Sequence, residues 1–192
     1  MDAAEITRNY LLYLIMPLWV AVGFADWLCH RAARIAATAG PKESVIHLLM
    51  LAEVGIGVLA GLFFEINPLV LIVMLMALIL HEITAYWDVS YAYGRRAVTA
   101  IEQRVHDYLG AIPFMAFSFV VILHWPAAMR LVQGQFIAGD WSLAWKGQAL
   151  PIAYIVALLA AIALFDALPF GEELLRGLSA RAAAMRRKAG AD

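Results

Sequence analysis

Four of the five histidines in this chain are each accompanied by a carboxylate at helical spacing. Residues four or seven positions apart project from the same face of an α-helix. Neutral imidazole and carboxylate oxygen together are ligands for iron, manganese and zinc. The spacing therefore predicts a metal-binding site built from four helical pairs, which are Asp26 with His30, Glu43 with His47, His81 with Asp88, and Glu102 with His106.

The elements that must position these pairs are strongly apolar. The chain is 64% hydrophobic with a mean hydropathy of +0.79, whereas soluble domains are about 45–50% apolar. Five apolar runs are close to the ~20 residues that a helix needs to cross a bilayer, and they cover residues 10–29, 45–64, 69–87, 108–125 and 149–168. The sequence predicts an all-α, polytopic membrane bundle in residues 1–171, followed by a basic amphipathic cytoplasmic tail in residues 172–192.

Lysine and arginine placement predicts the orientation in the membrane. One side of the predicted topology holds eleven of these residues and the other side holds three, namely Arg8, Arg130 and Lys146. Positive residues are enriched on the cytoplasmic side. We therefore expect a multi-pass protein of the bacterial inner membrane with its N-terminus outside and its C-terminus in the cytoplasm. The net charge of −1 gives no indication of a nucleic-acid partner.

The predicted hairpin turns near Gly40 and Gly94 bring the polar pairs to the cytoplasmic end of helices 1–4. At ~1.5 Å per residue, these side chains occupy a slab roughly 10 Å tall. Four imidazoles and four carboxylates can hold two transition-metal ions, with iron favoured and zinc or manganese as alternatives. The predicted ligands are Asp26, His30, His47, Glu53, His81, Asp88, Glu102 and His106. Three further acids, Glu43, Glu82 and Asp166, are candidates to orient the ligand histidines by hydrogen bonds without binding the metal themselves.

Interpretations without a metal remain open at this stage. Acidic residues close to a membrane surface can be solvated or paired with Arg95, Arg96 or Arg104. Glu53 and His81 lie deeper, about 10–13 Å inside their apolar runs, and they could satisfy each other by a hydrogen bond.

The arrangement of one histidine and one carboxylate on each of four helices resembles the di-iron carboxylate bundles. Its membrane setting is similar to that of the membrane-bound fatty-acid hydroxylases and desaturases. The pairs here are DxxxH (Asp26/His30) and ExxxH (Glu43/His47 and Glu102/His106), whereas ferritin-type bundles use ExxH and the hydroxylases use HxxxH and HxxHH boxes. The resemblance covers the layout of helices 1–4 and implies a di-iron centre that activates O₂.

The leading hypothesis is a membrane oxidoreductase that hydroxylates or desaturates a lipid-like substrate and receives electrons from a redox partner. With zinc, the same site would activate water for hydrolysis. A b-type haem electron carrier is an alternative, although the number of carboxylates argues against it. A metal or ion transporter is a further alternative, but residues 54–64 and 69–80 are almost wholly apolar and give no polar path.

Overall fold

The computed structural model describes residues 1–190 and is helical throughout its regular structure. The helices are α1 (Ala3–Tyr10), α2 (Met16–Ala32), α3 (Pro41–Phe63), α4 (Pro68–Ala92), α5 (Ala100–Leu123), α6 (Trp125–Gln133), α7 (Ile152–Ile162) and α8 (Leu168–Ala189). A π-helical turn over Leu11–Ile15 joins α1 to α2, and another over Ala163–Ala167 joins α7 to α8.

Five continuous helices are long and apolar enough to cross a membrane. We number them spans 1–5, and they cover Ala3–Ala32, Pro41–Phe63, Pro68–Ala92, Ala100–Leu123 and Ile152–Ala189. The predicted all-α fold with five possible membrane spans is confirmed. The segment predicted as a cytoplasmic tail continues span 5 without a break as far as Ala189, and positions 191 and 192 of that prediction lie outside the described residues.

Each π-helical turn comes just before a proline inside a long helix. Pro17 follows the turn in span 1, and Pro169 follows the turn in span 5. A proline ring clashes with the carbonyl four residues before it and removes one helical hydrogen bond. In both spans that carbonyl, of Tyr13 or Phe165, belongs to the wider π-helical turn. The wider turn makes room for the ring, so each helix continues past its proline.

The two connections that the sequence predicted near Gly40 and Gly94 lie at one end of the bundle, which we call the site end. Residues 33–40 join α2 to α3, and residues 93–99 join α4 to α5. Both glycines have positive φ values, +80° and +79°, which side-chain-bearing residues rarely adopt. These turns make spans 1–4 alternate in direction, so the end of α2 lies near the start of α3, and the end of α4 near the start of α5.

Spans 1–4 pack as two pairs, and span 5 holds the pairs together. Among spans 1–4, the most extensive helix contacts join α3 with α4 and α2 with α5. Span 5 packs on both pairs, through α8 on α3 and through its π-helical turn on α2. At one position the backbones nearly touch, because a Cβ atom on Gly177 would lie 3.1 Å from Pro41 Cα. Span 5 is therefore part of the bundle at the site end.

The opposite end is closed by α6 and the irregular segment after it. Arg130 donates two hydrogen bonds to Asp140, at 2.9 and 2.8 Å. Asn67 accepts from the backbone of Val70 and donates to the carbonyl oxygens of Gly139 and Ser142. These bonds attach the segment to the start of α4 at the end remote from the histidine pairs.

Candidate metal centre

Three histidines and four carboxylates converge in the interior near the site end. We call these seven residues the central cluster: Asp26, His30, His47, Asp88, Glu102, His106 and Glu173. Six of them are at most 3% exposed, and His106 is partly buried. Every span contributes at least one member, so the cluster requires all five long helices to be in place.

Asp26 joins the two histidines that come from spans 1 and 4. Its Oδ1 atom lies 3.4 Å from His30 Nε2 and 3.1 Å from His106 Nε2. One donor atom from each of these three residues lies within 4.8 Å of the others, which is compatible with a single metal ion. Glu102 Oε1 is 3.7 Å from the same nitrogen of His30. The helical pairs Asp26/His30 and Glu102/His106 thus meet, as the sequence predicted.

His47 forms the other half of the cluster with a residue from span 3. Its Nε2 atom lies 3.1 Å from Asp88 Oδ1. The imidazole rings of His47 and His30 stack with their centroids 4.1 Å apart and their planes 13° from parallel. His30, Glu43 and His47 form a second group of donors within 4.8 Å of one another. The two groups share His30, so a pair of ions here would be close neighbours.

Glu173 of α8 contacts both stacked rings on their Nδ1 side. One of its oxygens is 3.0 Å from His47 Nδ1, and the other is 3.3 Å from His30 Nδ1. With Nδ1 of both rings facing the same carboxylate, both Nε2 atoms face away from it, towards Asp26 and Asp88. A carboxylate behind a ligand histidine fixes its tautomer and ring orientation. Glu173 is placed to do so for two histidines at once.

Sequence reasoning missed Glu173 because it assigned the segment after residue 171 to a solvated tail. A signal was available in the spacing of three residues in span 5. Asp166, Glu173 and Gly177 are seven and four residues apart and therefore share one helix face. Two acidic residues and a glycine on one helix face indicate that this face of span 5 packs closely against polar side chains of other helices. That spacing could have placed the start of α8 inside the bundle.

Arg96 occupies the rim of the cluster and binds two of its acids. Its guanidinium group donates to Glu43 Oε1 at 2.8 and 2.6 Å and lies 2.6 Å from Glu102 Oε1. Burial opposes the charge on Arg96, but the hydrogen bonds and charges of these carboxylates raise its pKa above the ordinary value. The pairing with arginine that the sequence left open is therefore present for Glu43 and Glu102.

Glu102 has a further contact in the local structure of α5. Its backbone N–H donates to Thr99 Oγ1, and its Oε2 atom accepts from the Thr99 N–H. This capping box satisfies backbone groups at the start of the helix. Glu102 Oε2 thus has a hydrogen-bond partner, and Oε1 has only its ion pair with Arg96. Among the described residues, Glu43 Oε2 has neither a hydrogen bond nor an ion pair.

The remaining predicted ligands, Glu53 and His81, lie outside the cluster. Glu53 accepts a hydrogen bond from Thr84 at 2.8 Å, so the Glu53–His81 bond considered from the sequence is replaced by a Glu53–Thr84 bond. His81 is buried, and within residues 1–190 it forms no ion pair with any carboxylate. It is seven residues before Asp88, which corresponds to a depth difference of about 10 Å along α4.

Glu82 and Asp166 were predicted to orient the ligand histidines without binding the metal themselves. In the described part of the chain neither carboxylate forms a hydrogen bond or ion pair with a histidine. Asp166 is buried against Gly23, where a Cβ atom would lie 2.5 Å from its Oδ1. Glu82 is exposed and lies beside Gly110. Glu173 has the position expected for these two acids.

The donor atoms of the cluster are spaced like metal ligands but are not aligned as hydrogen bonds. Eight buried atoms in it have no hydrogen-bond partner of acceptable geometry: Asp26 Oδ1, His30 Nδ1, His30 Nε2, His47 Nε2, Asp88 Oδ1, Glu102 Oε1, His106 Nδ1 and Glu173 Oε2. Two ligands bound to one ion at ~2.1 Å, at tetrahedral or octahedral angles, are about 3.0–3.4 Å apart. The Asp26–His30, Asp26–His106 and His47–Asp88 contacts fall in this range. The residues present therefore fit a metal centre.

The charge of the buried groups supports the same conclusion. Five buried carboxylates surround the one buried guanidinium group of Arg96, which leaves a charge of −4 when the histidines are neutral. Buried charges are costly unless they are paired or bind metal. Two divalent ions would compensate this charge. Protonation of the three cluster histidines would compensate it in part, but would leave the unaligned donors unexplained. The acids counted are Asp26, Glu43, Asp88, Glu102 and Glu173.

A cavity of about 510 Å³ opens beside the cluster. Asp26, His47, Asp88 and His106 line one part of it, and most of the remaining wall is apolar. Small-molecule sites are typically apolar cavities with a few polar groups that fix orientation. The cluster can therefore be reached by a largely hydrophobic molecule.

Comparison with protein-family models, with curated proteins and with solved structures gives no match. The fold and the site define the class to which the chain is assigned. It is an all-helical, multi-pass membrane protein with buried histidine and carboxylate groups that could hold a metal ion.

Proposed function

We propose that this protein is a membrane-embedded metalloprotein with two transition-metal ions, iron being favoured, and that it oxidises a hydrophobic substrate. The observation that carries this proposal is the convergence of three histidine Nε2 atoms on unaligned, buried carboxylate oxygens. Asp26, His30 and His106 would hold one ion. His47 and Asp88 would hold the other, with the free oxygen of Glu43 near them.

The reaction class proposed is hydroxylation or desaturation with O₂. In both reactions O₂ accepts four electrons, two from the substrate and two from an external reductant. Hydroxylation places one oxygen atom in a new C–O bond and releases the other as water, whereas desaturation removes two hydrogen atoms and releases both oxygens as water. A redox-active metal pair supplies the capacity to activate O₂. The protein supplies the donors, the negative charge and a cavity that admits an apolar chain.

The membrane orientation proposed places the cluster at the cytoplasmic face of the bacterial inner membrane. The site end carries Arg31, Arg34, Lys42, Arg95 and Arg96, and lysine and arginine mark the cytoplasmic side. An electron donor in the cytoplasm could then approach the cluster from this end. The substrate would reach the cavity from the bilayer.

The geometry disfavours haem in this site. A haem would have to fit between its two axial histidines, but the rings of His30 and His47 stack face to face with their centroids 4.1 Å apart, which leaves no room for a porphyrin between them. Between the Nε2 atoms of His30 and His106 lies Asp26 Oδ1, at 3.4 and 3.1 Å. A haem iron between these histidines would require the carboxylate to leave.

The test is the metal content of the purified full-length protein. We expect close to two iron atoms per chain by elemental mass spectrometry, and a clear loss of iron in His30→Ala and His106→Ala. His124→Ala is the matched control, because His124 caps α5 at the end remote from the cluster and should retain the wild-type content. If His30→Ala does not fold, the iron content of His106→Gln, a substitution at the partly exposed histidine, tests the same expectation.

Three results would overturn the proposal. These are a wild-type protein without transition metal after expression in iron-supplemented medium, equal iron in all variants, and a haem Soret band in the optical spectrum. Stoichiometric zinc in place of iron would replace the oxidative reaction with hydrolysis. The metal centre itself would then remain.

A further inference from the structure

The cavity beside the cluster continues deep into the bundle. A second cavity of about 120 Å³ has Met16, Trp19, Val54 and Val58 in common with the first. The second cavity extends along α3 as far as Gly61 and Leu62, and its wall is almost entirely apolar. From His47 to Gly61 is fourteen residues, or about 21 Å along the helix axis. The two cavities therefore adjoin each other along α3, and we call them together the interior channel.

The polar groups of the channel lie in the first cavity, which is also lined by His81, Glu82 and Asp166, whereas the described residues that line the second cavity include no charged or histidine side chain. Asp26, His47, Asp88 and His106 lie four to six residues from the ends of their spans at the site end, which is a depth of about 6–9 Å. Asp26 Oδ1, His47 Nε2 and Asp88 Oδ1 are buried without aligned hydrogen-bond partners. The channel therefore has a polar part at and beside the central cluster and an apolar part remote from it.

Glycines of α3 leave the channel open along its length. A Cβ atom on Gly55 or Gly57 would meet no other atom within 4 Å, and one on Gly61 would make an ordinary contact with Met74. Glycine in a helix interior is less favourable than alanine by about 1 kcal/mol. Here the absent side chains keep space free beside three positions of α3, which are Gly55, Gly57 and Gly61.

We propose that the interior channel binds the single hydrocarbon chain of an amphiphile whose polar head lies at the central cluster. The distance from His47 to Gly61 corresponds to about 16 carbons, at ~1.3 Å per carbon for an extended chain of ~1.5 Å bonds. The glycines of α3 set the chain length that fits. This inference rests on the proposed function and deepens it, because the reacting carbon is then close to the polar head and remote from the terminal methyl group.

The first experiment measures chain-length selection without using activity. Full-length protein in lipid nanodiscs is heated with linear primary alcohols of 8–20 carbons, each at the same mole fraction in the lipid. We expect the largest rise in melting temperature at about 16 carbons. Gly57→Leu should move this optimum to about 12 carbons and Gly55→Leu to about 9, since these positions are about 15 and 12 Å from His47 along α3.

The matched control is Gly171→Leu. A Cβ atom on Gly171 also meets nothing within 4 Å, but Gly171 does not line the channel, so the optimum should stay at the wild-type length. Gly57→Ala adds a smaller side chain and serves as the second variant if Gly57→Leu does not fold. It should shift the optimum alcohol chain length by less than Gly57→Leu. A flat profile, or the same optimum in all variants, would overturn the inference.

The second experiment determines the direction of the chain. In metal-loaded protein, an alcohol labelled with ¹³C at carbon 1 should show a strongly broadened resonance, and one labelled at the terminal methyl should not. Broadening at the methyl group alone would overturn the orientation. The two proposals can fail separately: chain-length selection in a protein that binds no metal would reject the proposed function and keep the channel, and the reverse result would reject the channel alone.

Discussion

His30 and His47 stack face to face at 4.1 Å, and both present Nδ1 to Glu173. An ionised carboxylate can only accept hydrogen bonds. If Nε2 of each ring binds a metal ion, the proton of each neutral ring is on Nδ1 and faces Glu173. One side chain from the last helix is thus placed to orient two histidines on different spans.

Replacing Glu173 should weaken metal binding while leaving the ligands in place. Loss of a carboxylate behind a ligand histidine typically reduces metal affinity about 10–100-fold. We expect an effect of this size in Glu173→Ala, measured by competition with a chelator of known affinity. The neighbouring acid provides the control: Glu172 is exposed and pairs with Arg31 at 3.3 Å, so Glu172→Ala should retain wild-type affinity. Equal affinities in the two variants would show that Glu173 does not act on the site.

Removing Arg96 should destabilise the protein. Arg96→Ala leaves Glu43 and Glu102 buried without their cation, and breaking a buried ion pair from one side costs about 3–5 kcal/mol. We expect this loss in the free energy of unfolding, measured by denaturant titration in detergent. Arg95→Ala is the control, because Arg95 is exposed and contacts Tyr91. Adding Glu43→Gln to Arg96→Ala should recover part of the loss, and no recovery would contradict this explanation.

The ion pair at the opposite end should make stability depend on pH in acid. Hydrogen bonds from Arg130, with a contribution from the Ile137 N–H, lower the pKa of Asp140 below its ordinary value of 3.8. A lowered folded-state pKa means that the ionised group stabilises the fold fully above pH 3.8. This contribution is lost as the pH falls through the folded-state pKa. The difference in melting temperature between wild type and Asp140→Asn should be constant near neutral pH and should shrink below pH 3.8.

The double variant Arg130→Ala/Asp140→Asn tests the assigned cause. Its melting temperature should differ from that of Arg130→Ala by a small amount that does not change between pH 3 and pH 7. A pH-dependent difference in this pair of variants would mean that another group is responsible.

The sequence predicted the spans and the approximate place of the site because both depend on local pattern. Apolar runs of membrane-spanning length define helices, and the four-residue spacing of Asp26 and His30 fixes a common face. The turn near Gly94 correctly placed Glu102 and Asp88 at the same end. These features need no knowledge of how one helix packs on another.

The rest depends on packing that the pattern does not contain. His81 and Asp88 share a face of α4, but about 10 Å of depth separates them, and Asp88 alone reaches His47. Glu173 is buried because α8 continues along α3 beyond the apolar run. A polar, basic segment gives no indication of that contact when it is considered alone.

The contact between Gly177 and Pro41 has a consequence for Glu173, one helical turn away. With 3.1 Å between a Cβ at position 177 and the Pro41 Cα atom, even a methyl group would act as a wedge between the two helices. The added methyl group would push α8 away from α3 and move the Glu173 carboxylate away from the two stacked imidazole rings. The Nδ1 atoms of His30 and His47 would then lose their contact with this carboxylate. The absent side chain of Gly177 thus keeps Glu173 in contact with both histidines, although Gly177 itself lies outside the cluster.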